Sequence, residues 1–282
     1  MAGVLEQAGP AAAEAPALDA EPVRRRLPWQ YVVVPLAVVV LWELAVQVGW
    51  VRASLVPAPH TVLTAWYVWI FGGGPATPYT GTWLTAATSS ASRVLTGFAI
   101  AAVVGVVVGL ATGWFLLPRM LLQPLIDLLR PIPITAWVPF AVVFFGIQPT
   151  ASISLIALGA FFPIALNAAA GAARTPRVLV RSAQMLGTPK HAMLWEVVFP
   201  SALPSIVSGL RVGLALAWVL VIVSEMVAVK SGLGFSLWDA YYFSRIDIIV
   251  AAMFSVGILG YVSDQLLQLF ARRVTRWASD VA

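Results

Sequence analysis

Six long apolar stretches, at residues 31–48, 89–114, 120–145, 152–172, 204–229 and 248–270, leave this chain few ways to fold. A bilayer core takes about 20 apolar residues as a helix. Strands of a membrane barrel would alternate polar and apolar over about ten residues, and these runs do not. Burying six such runs in water would need a polar surface, yet only 10% of the 282 residues are charged and 60% are hydrophobic, with mean hydropathy +0.90. Soluble domains carry about a quarter charged residues. Lipid is therefore the solvent for much of this chain, and an all-α membrane bundle of six spans is expected.

The net charge of +5 does not point to nucleic acid. Of 17 basic residues, 14 sit at the ends of the runs or between them, as membrane proteins place them. With the amino terminus inside, the cytoplasmic side holds Arg24, Arg25, Arg26, Arg119, Arg174, Arg177, Arg181, Lys190, Arg272, Arg273 and Arg276, against Arg52, Lys230 and Arg245 outside. An even number of spans then returns the carboxyl terminus to the cytoplasm. The first 22 residues are rich in Ala, Pro and Glu, and residues 1–26 read as a disordered cytoplasmic tail before a transmembrane domain over 27–282. The first apolar run is too long for a signal peptide, contains Glu43 and precedes five more, so it reads as an uncleaved span. With no cysteine, disulfides, thiol catalysis and Cys-ligated metals are excluded.

Small residues recur every four positions in the second run (Gly97, Ala101, Gly105, Gly109, Gly113) and in the fifth (Ser205, Gly209, Gly213, Ala217). Lipid gives helices no hydrophobic reason to associate, so close backbone approach along such ridges must supply the contact. The ridges serve packing within one protomer or contact between two.

Ionisable and polar groups at membrane depth are costly and invite a functional reading. Asp127 and Arg130, three apart, either pair with each other or leave Arg130 to attract an anion. Pro131, Pro133 and Pro139 break the third run, and broken helix within a membrane is tolerated only in protein or beside a cavity. That run, with Arg130 and Trp137, is expected to line a translocation path, together with Asn167, Ser224 and Glu225. Glu225 also suits an interfacial or ion-pairing role, and Arg93 and Arg211 either snorkel or pair with Glu43 or Asp264. His60 and His191, the only histidines, read as loop residues on opposite sides, without a metal-spaced cluster.

Residues 173–203 form the longest cytoplasmic connection. Leu179, Ser182, Ala183 and Leu186 share one helical face, Gly187-Thr188-Pro189 breaks it, and a second short helix bearing Leu194, Val197 and Val198 ends near Pro200. Such a helix–turn–helix either rests on lipid headgroups or seats in a groove of another protein. Its wording, Arg181-Ser182-Ala183 followed by Gly187 and then Val197-Val198-Phe199-Pro200, resembles the signature loop of ABC importer permeases. That loop reads Glu-Ala-Ala, three residues, Gly, nine residues, Ile, one residue, Leu-Pro. The Gly and Pro spacing agrees, whereas Arg181 stands for the usual Glu. From Trp29 onward, Leu129-Arg130-Pro131-Ile132-Pro133, Ser208-Gly209-Leu210-Arg211, Ser224-Glu225-Met226 and Gly232-Leu233-Gly234 are similar to the nitrate, taurine and aliphatic-sulfonate branch, and the tail Arg272–Trp277 looks most like the taurine permeases.

The resemblance implies a type I importer permease fold in the inner membrane and a dimer of permeases. It further implies two ATPase subunits carrying ATP and Mg, an external solute-binding protein and alternating access. It assigns ATPase coupling to Arg181, Ser182, Ala183, Gly187, Thr188, Pro189, His191, Ala192 and Pro200, and leaves a sulfonate, nitrate or bicarbonate as solute. The chain carries no Gly-rich loop ending in Gly-Lys-Ser/Thr, so an ATP-driven mechanism needs its ATPase on another chain. A secondary transporter or channel is the alternative, and a membrane enzyme would need an acid–base cluster that the sequence lacks.

Overall fold

The computed structural model describes residues 30–275, apart from 53 and 75. The tail 1–26 with Arg24, Arg25 and Arg26, and the terminal Arg276 and Trp277, lie outside the described residues. The chain folds as helices α1 (Gln30–Gln47), α2 (Pro59–Phe71), α3 (Trp83–Trp114), α4 (Leu116–Leu129), α5 (Val138–Phe145), α6 (Pro149–Ala173), α7 (Arg177–Met185), α8 (Lys190–Met193), α9 (Phe199–Ala228), α10 (Leu233–Tyr242) and α11 (Ile246–Val274). A 3-10 turn, Ile134–Trp137, leads into α5, and a π-turn, Leu194–Val198, joins α8 to α9.

Four helices are long and apolar enough to cross a membrane: α3, α6, α11 and the continuous helix Leu194–Ala228. A fifth crossing is made only by taking α4 with Ile134–Phe145, which meet at 91°. The expected first span is a shorter apolar helix over Val33–Gln47, so the described residues contain fewer than the six full spans expected. The sharp bend has a local cause. Pro131 and Pro133 follow the last turn of α4 and lack the N–H groups that would continue it, and Pro133 is extended at φ −57°, ψ 131°. Pro139, by contrast, occupies the first turn of α5, where a missing donor is harmless.

Two helices escape the span pattern because they are too short for it. In α2, Pro59 sits in the first turn, and Val62, Trp66 and Trp69 share one inward face, with Trp69 fully buried. In α10, Leu233, Leu237 and Ala240 pack on Ile248, Ala251 and Ala252 of α11. His60 accordingly lies in α2 and His191 in α8; neither is a loop residue as expected.

At the centre, α6 is held between α3 and α9. A Cβ on Gly97 would lie 2.7 Å from Ile156, one on Gly105 2.9 Å from Ile164, and one on Gly213 2.8 Å from the same Ile164. Gly209 meets Asn167, and Gly171 of α6 meets Ser205 and Ala202 of α9. Both small-residue ridges therefore pack against α6 within one chain. On α3 the two faces separate cleanly: Ala101 is buried, whereas Val103 and Val107 on the far side are exposed as a lipid-facing surface would be.

Because Ile164 is already in van der Waals contact at Gly105, Gly105→Leu is expected to lower stability by about 1–3 kcal/mol through overpacking. Gly257 of α11 has nothing within 4 Å of its would-be Cβ, so Gly257→Ala is expected to hold or raise stability, by at most about 1 kcal/mol. Thermal unfolding of both variants in one detergent checks the contrast.

Candidate functional site

The 173–203 segment joins an exposed helix to a buried one. None of the residues of α7 is buried; Val178, Leu179, Met185 and Leu186 are exposed, the last two at 86%. The face expected at Leu179, Ser182, Ala183 and Leu186 therefore finds no cover among the described residues, and only Ala183 among them is half-buried. Arg181 is exposed as well.

The end of α7 is closed by a two-bond cap. Thr188 N–H donates to Ala183 O across five residues, and Gly187 N–H donates to Gln184 O, each at 3.0 Å. This double closure requires a left-handed residue between helix and loop, and Gly187 supplies it at φ +82°. Pro189 then sits at φ −69°, ψ 155°, before the first residue of α8.

Beyond this turn the chain goes inward. Met193 and Val198 are buried, Val198 against Leu110, Ala168, Ala172 and Ala202. The expected end near Pro200 does not occur: the helix runs unbroken through Pro200 and Pro204 to Ala228. The reason is the π-turn, in which Phe199 N–H reaches back five residues to Leu194 O, and Pro200 needs no donor as it enters α9. Coupling candidates thus fall on both parts, with Arg181, Ser182 and Gly187 on the exposed arm and Ala192 and Pro200 on the anchored helix.

The path candidates divide into three places. Arg130, Pro131, Pro133 and Trp137 lie together at the break between α4 and α5. The expected Asp127–Arg130 pair does not form. Arg130 caps the very end of α4, where the chain turns away, and Asp127 accepts instead from Gln123 one turn earlier, at 3.2 and 3.3 Å. Arg130 is exposed and has no carboxylate partner among the described residues. On the 3-10 turn that follows, the Trp137 indole N–H is buried without a partner among the described residues.

Asn167 is half-buried on α6 and donates to Pro163 O of its own helix at 2.8 Å. Ser224 and Glu225 are fully buried on α9. The Ser224 and Ser152 hydroxyls meet at 2.6 Å, and Glu225 pairs with Arg93 of α3. Arg211 takes Asp264 of α11 in a two-pronged pair at 3.0 and 2.9 Å, while Glu43 takes His60 of α2 at 2.8 Å. Arg93 as the partner of Glu225 is the piece that sequence reasoning missed; its signal was an unassigned charge of opposite sign at membrane depth.

Outside the spans, Tyr79 OH donates to Asp239 at 2.8 Å. Burial, then that acceptor, raises the phenol above its ordinary range, so the donor stays protonated.

A protein whose broken span, ion-paired helices and exposed, glycine-capped arm are arranged in this way matches a known family model. Residues 101–276 match the family described as binding-protein-dependent transport system inner membrane component. The chain belongs to this family. It is a multi-pass inner-membrane permease, and relatives extend the match along most of its length. A putative ABC transporter permease of Methanocaldococcus jannaschii is 36% identical over 246 residues, covering 86% of this chain and 90% of the relative. The taurine transport system permease of Escherichia coli is 33% identical, covering 91% of this chain and 96% of the relative. Permeases named for aliphatic sulfonates and for nitrate match at 35% identity. Among solved structures, a chain of the inward-facing MetNI methionine ABC transporter superposes with TM-score 0.58 at 21% identity, over 73% of this permease and 99% of that chain. That likeness concerns the fold.

The Ser152–Ser224 contact tests whether Ser224 meets solute. As a packing pair, Ser224→Ala should lower stability by about 1 kcal/mol, and adding Ser152→Ala should lower it little further, with the solute concentration for half-maximal uptake unchanged. A path role predicts the reverse, a shifted half-maximal concentration at unchanged stability. Thermal unfolding and uptake kinetics on the same preparations separate the two.

Proposed function

We propose that this permease is the membrane-spanning subunit of an ATP-driven importer for a small anionic solute. Two copies work with two separate ATPase subunits, which hold ATP and Mg, and with an external solute-binding protein. In this reading the chain crosses six times, with α1 as the first crossing and the bent α4–α5 pair as the third. Both termini, the tail 1–26 and the segment 173–203 face the cytoplasm, and the count of basic residues on the two sides supports that orientation.

The observation that carries the coupling role is α7: an amphipathic helix whose apolar side chains are left uncovered by the described residues, joined at Gly187 to a helix that runs into the core. Large exposed apolar side chains mark a site for a partner. ATP closing the ATPase pair draws the α7–Gly187–α8 arms together, and α9 carries the movement to the path. Only contacts that differ between the two states can shift their balance, and this arm is placed to make such contacts.

An anionic solute is supported by the relatives named for taurine, aliphatic sulfonates and nitrate, and by Arg130. Its guanidinium stands at the break of a span without a carboxylate, whereas Arg93, Arg211 and Arg245 are each paired. A planar, exposed guanidinium suits the recognition of oxyanions.

Gly187→Val forces a branched side chain into the left-handed region at about 1–2 kcal/mol, although nothing stands within 4 Å to clash. The variant is expected to insert normally, and ATP-dependent uptake in proteoliposomes falls about tenfold. Gly187→Asn, which tolerates that backbone, recovers most of it. Full uptake by Gly187→Val would remove Gly187 from the coupling route, and uptake by this chain without an ATPase would favour a channel or secondary transporter. Separately, Arg130→Gln should cut anion uptake roughly tenfold while ATPase stimulation by the loaded binding protein persists, and Arg130→Lys should retain more uptake than the amide. Equal uptake by all three forms would take Arg130 out of the path.

A further inference from the structure

A buried polar cluster lies where α3, α9 and the start of α10 meet. Glu225 is 0% exposed, Ser90 0% and Arg93 5%. Three groups donate to the Glu225 carboxylate. Arg93 Nη1 donates to Oε1, while Ser90 Oγ at 2.8 Å and Gly234 N–H at 2.9 Å share Oε2. Ser90 Oγ in turn accepts Leu233 N–H at 2.8 Å, and Arg93 continues to Ser231 O at 2.8 Å and Ser231 Oγ at 2.5 Å. The result is a closed ring of bonds that ties two membrane helices to one short loop.

The loop is shaped around the carboxylate. Gly232 takes φ +112°, and a Cβ there would fall on the Glu225 carboxylate itself. A Cβ on Gly234 would stand 2.7 Å from Ile222 O and 2.9 Å from Glu225 Cβ. Glu225 thus caps α10 from another helix, using the acceptor that the first turn of α10 lacks locally, since Gly232 has no side chain to offer. The far end of α10 is different in character. Tyr241, Tyr242 and Phe243 are exposed and aromatic, as at a membrane–water boundary.

We propose that Arg93, Glu225 and Ser90 are positioning residues that seat α10 at the extracytoplasmic mouth of the path, and that transport triggered by the binding protein depends on this seat. The proposal rests on the importer reading for its orientation and its trigger. Two features favour a positioning role over lining of the path. No atom of Glu225 is exposed, and an acceptor surrounded by donors attached to three segments fixes geometry before it can meet an anion, which it would repel. Removing one partner leaves the other buried and unpaired, which is far costlier than the pair itself is favourable.

The test uses the absence of cysteine from the chain. Ala240 of α10 is 0% exposed, so Ala240→Cys gives a single thiol whose reaction with a membrane-impermeant maleimide reports whether α10 is seated. In the assembled complex this thiol should react slowly. Adding Glu225→Gln should speed labelling about tenfold, because local opening controls access. Basal ATPase should persist, and stimulation by the loaded binding protein should be lost. Ser90→Ala, which removes one bridge only, should show the same changes in smaller degree, and Ser90→Thr should restore both readouts. Labelling and stimulation unchanged in Glu225→Gln overturn the proposal. If that variant fails to assemble, Ser90→Ala decides, and normal labelling with normal stimulation there overturns it equally. A wild-type complex that no binding protein stimulates would sink the importer reading instead, and labelling of Ala240→Cys with and without Glu225→Gln would still judge the seat.

Discussion

Close backbone contact between α6 and its two neighbours is the constraint on which the rest of this structure depends. In lipid there is no gain from moving Leu or Val side chains off the solvent, so helices stay together through packing and hydrogen bonds. Gly97, Gly105, Gly109 and Gly113 let α3 lie against α6, and Gly209 and Gly213 let α9 lie against the other side. Ile164 fills the space that both ridges leave, touching Gly105 from one helix and Gly213 from the other. With these three helices fixed, the less regular parts have something to fold against: the α4–α5 break packs its Val138 and Ala141 on Leu155 of α6 and Ala228 of α9.

Charge is handled in two ways. Arg93, Arg211 and Arg245 each have a carboxylate on a neighbouring turn or helix, so the energy of removing them from water is offset by charge-assisted bonds. Two of these pairs also link segments far apart in the chain, 132 residues for Arg93 and Glu225 and 53 for Arg211 and Asp264. Arg130 is handled otherwise, at a helix end where the backbone itself is irregular and the side chain stays exposed. A pair fixes the scaffold, whereas the guanidinium of Arg130 has no carboxylate to fix it among the described residues.

Much of this was legible in the sequence because one property, apolar run length, reports membrane crossing directly. The small-residue spacing located the packing faces, and Gly187 located the turn, because each is a requirement of backbone geometry rather than of context. The readings that failed were contextual. Asp127 and Arg130 have the spacing of a pair, but the helix ends between their side chains and the break. Pro200 has the look of a terminator, yet a π-turn just ahead of it removes the need for its missing donor. Helices α2 and α10 are too short to register as spans, and their burial against α11 depends on contacts across the fold that no local pattern encodes. The Arg93–Glu225 ring is of the same kind: each charge is visible in the sequence, and which opposite charge it meets is not.

The unbroken helix from Leu194 to Ala228 has a mechanical meaning beyond crossing the membrane. At 1.5 Å per residue its 35 residues extend about 52 Å. It lies against α6 along most of that length, from Val198 on Ala168 and Ala172, through Gly209 and Gly213, to Ser224 on Ser152. A rod packed along its length on one neighbour has no pivot of its own, so displacing either end must carry α6 with it or break the close contacts between them.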